Sequence, residues 1–426
     1  MDTIFALASA AGKAGVSVVR VSGPDAWEAV DRLAGSMPTP RQASVRRLIG
    51  NTGDFIDESL VLIFEKGASF TGERIAEFQV HGSIAVIQAL LRDLGEIPGF
   101  RHADPGEFTR RALENGRLDL TQVEALGDLI EAETEQQRRQ ALRLLSGALS
   151  VRVGEWRRDI IRAVSLLEAT IDFVDEDVPV DVSGEVADLL SGVLEGIGVE
   201  LQGLASAERV RTGFEIAIVG PTNAGKSTLL NYLAGREAAI TSDIAGTTRD
   251  VIEVRMEIGG FAVTILDTAG LRETDDSIEQ IGVARAKERA KASDLRVHLV
   301  PERDVPVLDV KPGDIVRTAK GDLGGSRGIS GKTGHGVREL LDEIENRLLG
   351  MVQGAGLASR ERHRVALMEG YAHLETARDL LAEGSDVYDI TSEEIRISQR
   401  KLEQLIGHVD VEHVLDQIFS SFCIGK

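Results

Sequence analysis

A phosphate-binding loop constrains this chain of 426 residues more than any other feature. Residues Gly220–Ser227 read Gly-Pro-Thr-Asn-Ala-Gly-Lys-Ser and fit the pattern GxxxxGK[ST]. The apolar run at 216–219 predicts a buried strand before the loop, and the run at 228–233 predicts a helix after it. In that context backbone N–H groups and a helix N-terminus surround phosphate oxygens. We therefore predict a nucleotide-binding α/β domain rather than a chance glycine-rich turn.

The loop's side chains have separate expected roles. Lys226 reaches the β- and γ-phosphates, and the Ser227 hydroxyl supplies a ligand to Mg²⁺. The predicted nucleotide contacts in this segment are Asn223, Ala224, Gly225, Lys226, Ser227 and Thr228.

Two further motifs predict a GTPase switch. Thr248, in the polar segment 241–250, is expected to complete Mg²⁺ coordination and to sense the γ-phosphate. Asp267 ends the next apolar strand and would hold Mg²⁺ through water, while the Gly270 N–H would meet the γ-phosphate. The predicted contacts here are Ser242, Asp243, Ile244, Ala245, Gly246, Thr247, Thr248, Asp267, Thr268, Ala269 and Gly270.

The residue that would orient the attacking water is not identified by spacing. Leu271 stands where a Ras-like protein would usually have a catalytic glutamine, and leucine cannot orient water. The nearby acidic candidates are Glu273, Asp276 and Glu279, and the basic candidates for stabilising transition-state charge are Arg249 and Arg272.

The expected base-recognition motif is altered. GTPases use Asn-Lys-x-Asp, and here Lys320 and Asp322 keep that spacing while Ala319 occupies the asparagine position. Ser330–Lys332 resembles the last guanine-contacting loop. We predict that Lys320 and Asp322 bind guanine, and whether Ala319 reduces the affinity stays open. The alternative is that Lys320 and Asp322 form a solvated surface pair.

Composition restricts the partners and the compartment. With 48 basic and 69 acidic residues the net charge is −21, so any RNA contact needs a local basic patch or a basic partner. Cys423 is the only cysteine, which excludes an intramolecular disulfide. The sequence has no apolar run of about 18 residues and no basic leader, which predicts a soluble cytoplasmic protein.

The pattern along the chain predicts a multidomain α/β protein. Short apolar runs give a mixed α/β domain at 1–117, and helical spacing dominates 118–210. Strands alternate with helices at 211–347, as in a Ras-like parallel sheet, and helical spacing returns at 348–426. We expect one discontinuous helical domain with the nucleotide domain inserted, the alternative being two independent helical domains.

These motifs together resemble the tRNA-modification GTPases of the MnmE (TrmE) family over nearly the whole chain. Three further segments and the terminal Phe-Cys-Ile-Gly-Lys at 422–426 support the resemblance. The first segment comprises residues 2–4 with 19–23, the second comprises 69–73 with Glu77 and 81–82, and the third is 105–122. The resemblance implies an N-terminal folate-binding domain that dimerises, a discontinuous all-α domain and an inserted P-loop GTPase domain.

The resemblance also implies an ion-dependent homodimer. Its GTPase domains would meet when GTP and K⁺ bind, with K⁺ supplying the charge of an arginine finger. The family's water-orienting glutamate matches Glu279. The implied K⁺ ligands are Asn223, Ser242, Ile244 through its backbone, and Thr247, with serine at 242 where the family usually has threonine.

A folate site is implied at Arg20, Glu77, Arg117 and Lys426. The family usually has lysine where Arg117 stands, so the charge is retained with a different shape. The bound cofactor would be 5,10-methylene-tetrahydrofolate or 5-formyl-tetrahydrofolate. Without the resemblance each of these residues would be interpreted as part of a surface ion pair. Cys423 matches the family's near-terminal cysteine, and we assign it no catalytic role.

The implied function is GTP hydrolysis coupled to tRNA modification. With an FAD-containing partner of the MnmG (GidA) type, forming a heterotetramer, the chain would add a carboxymethylaminomethyl or aminomethyl group at C5 of the wobble uridine. The tRNA would be held mainly by the partner. The alternatives are a ribosome-assembly GTPase and a regulatory switch without modification activity.

Overall fold

The computed structural model describes residues 2–172, 181–235, 253–267, 288–302, 304–323 and 328–407, with residues 415, 418, 419, 422 and 425. They belong to two compact units. The first comprises Met1–Gly127 with Glu403–Lys426, and the second comprises Asp128–Leu402. In these ranges no helix is both long and apolar enough to span a bilayer.

Up to Glu114, the first unit contains a six-stranded sheet and three helices. Its elements are β1 (Thr3–Leu7), β2 (Ala14–Ser22), α1 (Ala26–Ala34), β3 (Ser44–Ile49), β4 (Phe55–Phe64), β5 (Ile75–Gly82), α2 (Ile84–Gly95), β6 (Phe100–His102) and α3 (Glu107–Glu114). The strand order is β3-β4-β5-β2-β1-β6, and only β1 and β6 pair in parallel. Alternation along the strands buries Phe5, Val19 and Phe78 in a core closed by α1 and α2.

From Leu120 onward, helices precede and follow a second sheet. The elements are α4 (Leu120–Glu131), α5 (Glu135–Leu145), α6 (Ala148–Asp172), α7 (Ser183–Thr212), β7 (Phe214–Val219), α8 (Lys226–Ala234), β8 (Glu253–Ile258), β9 (Phe261–Asp267), β10 (Leu295–Val300), β11 (Ile315–Ala319), β12 (Gly328–Ile329), α9 (Val337–Met351), α10 (Glu361–Leu381) and α11 (Tyr388–Ile406).

The second sheet has the order β12-β11-β10-β7-β9-β8. All its neighbours are parallel except the hairpin β8–β9. Its core includes Ile216, Leu229, Leu299 and Ile344. Because these strands run parallel, the carboxyl ends of β7, β9, β11 and β12 lie at the same edge of the sheet.

Helix α7 joins the helical segments that flank this sheet. It packs against both α6 and α10. The buried carboxylate of Glu200 on α7 accepts hydrogen bonds from the backbone N–H groups of Leu357 (2.7 Å) and Ala358 (3.2 Å). The predicted discontinuous helical fold is thereby confirmed, while the boundaries at 117, 210 and 347 stay predictions.

The β8–β9 hairpin contacts the helical segment that precedes the sheet. At the hairpin's turn the Gly260 carbonyl accepts a hydrogen bond from the Gln136 N–H at the start of α5 (3.2 Å). Arg255 on β8 pairs with Glu133 at 3.2 Å. The turn of the hairpin is therefore bonded to α5, and its second strand finishes at Asp267.

Candidate functional site

The predicted phosphate loop connects β7 to α8. Asn223 and Gly225 have left-handed backbones, with φ of 62° and 93°, and asparagine is one of the few side chains that tolerate this conformation. Gly220 lies so close to β10 that an added Cβ would be 2.4 Å from the carbonyl oxygen of Leu299. The path of the loop therefore requires glycine at 220 and favours it at 225.

The Lys226 ammonium lies inside this loop. Its Nζ donates to the carbonyl oxygens of Gly220 (2.8 Å) and Pro221 (2.9 Å). Burial lowers the pKa of the ammonium, and the Asp267 carboxylate partly opposes that shift. A buried cation beside the N-terminus of α8 makes the loop an anion-binding site.

Ser227 and Asp267 meet beside the loop. Ile218 of β7 stands in register with Asp267 of β9, so the carboxylate lies next to the loop that leaves β7. The Ser227 hydroxyl donates to Asp267 Oδ2 at 2.9 Å, and Asp267 is buried. A hydroxyl and a carboxylate are the hard oxygen donors that Mg²⁺ prefers, so both residues fit the predicted metal.

The other predicted switch residues lie outside the described residues. They are Ser242, Asp243, Ile244, Ala245, Gly246, Thr247, Thr248, Thr268, Ala269, Gly270 and Glu279. The proposed roles of these residues therefore rest on the sequence.

The predicted base-recognition residues lie at the same sheet edge as the phosphate loop. Ala319 ends β11 and is buried, whereas Lys320 and Asp322 are exposed, and Lys320 has φ of 58°. Gly321 contacts Gly328 closely enough that an added Cβ would be 2.3 Å from backbone atoms. Backbone contact between these glycines holds the base-recognition loop against β12.

In the first unit the structure brings Arg20 and Glu77 together. They stand opposite each other on β2 and β5, and Arg20 Nε donates to Glu77 Oε1 at 2.8 Å. The guanidinium also lies over the rings of Phe70 and Phe108, at 5.5 and 5.7 Å from their centroids. The pair is mostly buried, so it is not an ordinary solvated surface ion pair.

Arg117 adjoins the same loop that carries Phe70. An added Cβ on Gly72 would lie 3.2 Å from Arg117 Cγ, so the two residues are in contact. Asn115 fixes this approach by donating from Nδ2 to the Thr71 carbonyl at 2.8 Å. Lys426, the fourth predicted folate residue, lies outside the described residues.

A buried charge cluster beside this loop received no role from sequence reasoning. Arg111 contacts Glu73 at 3.1 Å, Asp2 at 2.8 Å and Glu107 at 3.0 Å. Glu73 also accepts from the Ser22 hydroxyl at 2.8 Å. The sequence did single out this cluster indirectly, because Glu73, Glu107 and Arg111 all lie in segments that carry the family resemblance.

A cleft of about 470 Å³ lies beside the cluster and is lined by Pro24, Lys66, Glu73, Arg74 and Asn115.

Comparisons with known proteins match nearly the whole of this chain. Residues 3–117 match the family described as GTP-binding protein TrmE N-terminus, and residues 120–423 match the MnmE helical domain. A tRNA modification GTPase MnmE of Cereibacter sphaeroides is 55% identical over 429 residues, covering 100% of both chains. One of Roseobacter denitrificans is 55% identical over 428 residues, again covering 100% of both.

Among solved structures, a mutant Era of Aquifex aeolicus bound to GDP and aluminium fluoride is 25% identical. The match covers 32% of this chain and 56% of that one, with a TM-score of 0.26.

Proposed function

This chain belongs to the MnmE (TrmE) family and is a GTP hydrolase of tRNA modification, and from that premise we propose how it acts. It hydrolyses GTP in a K⁺-dependent reaction. With an FAD-containing partner of the MnmG type, it adds a carboxymethylaminomethyl or aminomethyl group at C5 of the wobble uridine of certain tRNAs. A tetrahydrofolate one-carbon unit supplies the new methylene.

The observation that carries the hydrolytic role is the Ser227–Asp267 contact beside the buried Lys226 ammonium. Ser227 and Thr248 would hold Mg²⁺, which supplies positive charge to the phosphates when bound. Lys226 binds phosphate oxygens, and Glu279 orients the attacking water. Exchanging Glu279 for alanine should lower turnover and spare GTP binding, and normal hydrolysis by that variant would remove Glu279 from the mechanism.

The proposed K⁺ ligands are Asn223, Ser242, the Ile244 carbonyl and Thr247. Asn223 supports this placement because its left-handed backbone sets it at the exposed surface of the phosphate loop. GTP turnover measured in KCl and in NaCl tests the proposal. Equal rates in the two salts would exclude K⁺ dependence.

The proposed folate site is formed by Arg20, Glu77, Arg117 and Lys426. The Arg20–Glu77 pair supports it, because a carboxylate can bind a pterin edge and nearby cations can bind a glutamate tail. Titration of the full chain with 5-formyl-tetrahydrofolate tests the site. Absence of binding would favour the ribosome-assembly or regulatory GTPase that we keep as the alternative.

The proposal includes a cytoplasmic homodimer that joins the flavoprotein in a heterotetramer. Nucleoside analysis of tRNA from a strain that lacks the gene tests the function as a whole. Loss of the C5-modified wobble uridine is the expected result. An unchanged nucleoside profile would contradict the modification role and leave only GTP hydrolysis.

A further inference from the structure

Helices α5 and α6 carry a concentration of arginine that departs from the charge of the whole chain. Residues 138–162 contain seven arginines and two acidic residues, Glu155 and Asp159, in a protein of net charge −21. All seven are exposed: Arg138, Arg139, Arg143, Arg152, Arg157, Arg158 and Arg162. We call this set the α5–α6 arginine surface. Its local charge is opposite in sign to that of the protein.

Part of this charge is not neutralised by the protein itself. Arg138 and Arg139 share one carboxylate, Glu135, at 2.7 Å from each. For Arg143 and Arg158 the described part of the chain offers no side-chain partner. Because two of these arginines share one carboxylate and two others have none among the described residues, guanidinium groups on this surface are able to bind an external anion.

The fold places these arginines on two consecutive helices. A two-residue turn, Ser146 and Gly147 with φ of 86° at the glycine, joins α5 to α6. The opposite face of α6 is buried through Val153, Trp156 and Ile160. Residues 152–162 extend over about 15 Å of helix, and 158 and 162 share one face.

We propose that the α5–α6 arginine surface binds the phosphate backbone of tRNA. This inference rests on the proposed function. An acidic protein needs a local basic surface to approach a polyanion, and guanidinium groups match phosphate oxygens in shape and charge. Within 138–162 the single aromatic side chain, Trp156, is buried, so no ring is available for base stacking. The surface therefore contacts backbone and leaves base selection to other elements.

Charge reversal at Arg143 and Arg158 tests the surface in the full chain. We expect R143E/R158E to bind unmodified tRNA at least about tenfold more weakly, with the slope of log affinity against log salt reduced by between about one and two. The matched control is R32E/R378E, which makes the same change in net charge at exposed arginines of α1 and α10. Thermal unfolding confirms that each variant is folded, and R143Q/R158Q replaces the charge-reversal variant if it is not.

Three results would overturn the proposal. They are wild-type tRNA affinity in R143E/R158E, an equal loss in R32E/R378E, and full rescue of the wobble modification by R143E/R158E in a deletion strain. Wild-type tRNA affinity together with loss of flavoprotein binding would assign the surface to an acidic protein. Complementation of a deletion strain with the wild-type or R143E/R158E gene tests this proposal separately from the proposed function. A deletion strain that retains the wobble modification contradicts the function, whereas full rescue by R143E/R158E contradicts only the surface.

Discussion

The Ser227 hydroxyl donates a hydrogen bond to Asp267 across 2.9 Å, although 40 positions separate the two residues in sequence. The parallel register of β7 and β9 creates this contact. A carboxylate that already orients the hydroxyl is preorganised to act with it on one cation.

Replacing Asp267 by asparagine should remove charge while retaining volume. We expect GTP turnover to fall by roughly 100-fold and the Mg²⁺ concentration for half-maximal activity to rise. Steady-state hydrolysis across a Mg²⁺ series measures both. The same substitution at exposed Asp342 on α9 should leave both values unchanged, and an unaltered Mg²⁺ dependence in D267N would contradict the assignment.

Replacing Arg20 by glutamine should weaken binding of 5-formyl-tetrahydrofolate at least about tenfold, because a cation paired with Glu77 is lost from a mostly buried position. Calorimetric titration measures the change. Arg47 provides the control, since it also lies over a phenylalanine ring, Phe55, at 5.0 Å. Equal effects of R20Q and R47Q would mean that the folate proposal is wrong at this residue.

Glu107 should make the first unit sensitive to acid. Burial raises the pKa of this carboxyl, but hydrogen bonds from Arg101, the Asp104 N–H and Arg111 outweigh it and hold the pKa below its ordinary value of 4.5. A depressed folded-state pKa contributes stability above about pH 4.5 that is lost as pH falls through the folded-state pKa. Unfolding free energy should therefore decline across that window.

Glu107→Gln should lower stability by about 1–3 kcal/mol at pH 7 and flatten the decline in acid. Urea unfolding at pH 7 and at several pH values below 4.5 measures the two effects. Glu114→Gln, on the exposed side of the same helix, should change stability by less than about 0.5 kcal/mol at every pH. Parallel acid profiles for wild type and E107Q would show that another group dominates.

Glu200→Ala should destabilise the second unit by about 1–3 kcal/mol, because it leaves the backbone N–H groups of Leu357 and Ala358 buried without an acceptor. Glu200→Gln retains an acceptor oxygen and should cost less. Thermal unfolding ranks the two variants, with exposed Glu195 on the same helix as the control position. No difference between E200A and E195A would exclude the carboxylate as a link between α7 and the segment that precedes α10.

The phosphate loop could be predicted in detail because its requirements are local. A strand, glycine spacing and a following helix fix where phosphate binds, and the positive φ values of Asn223 and Gly225 are set within that short segment. Asp267 was likewise predicted from the apolar strand that it ends.

Contacts made by distant residues could not be predicted in this way. Glu200 meets backbone groups 157 and 158 positions away, and Arg111 meets Asp2 109 positions away. Each pair depends on how separate helices and strands pack, which hydrophobic spacing does not encode. Arg20 and Glu77 were predicted in part: the family resemblance implied both as site residues, and the register of β2 and β5 explains why they meet.

The β8–β9 hairpin connects Asp267 to α5, the helix that carries Arg143. Asp267 ends the hairpin, the hairpin's turn is hydrogen-bonded to Gln136 at the start of α5, and Arg143 lies in the last turn of that helix. A shift of the hairpin on GTP binding would therefore move α5. Linkage is reciprocal, so if GTP changes tRNA affinity by some factor, tRNA must change GTP affinity by the same factor. One coupling constant would then describe both directions.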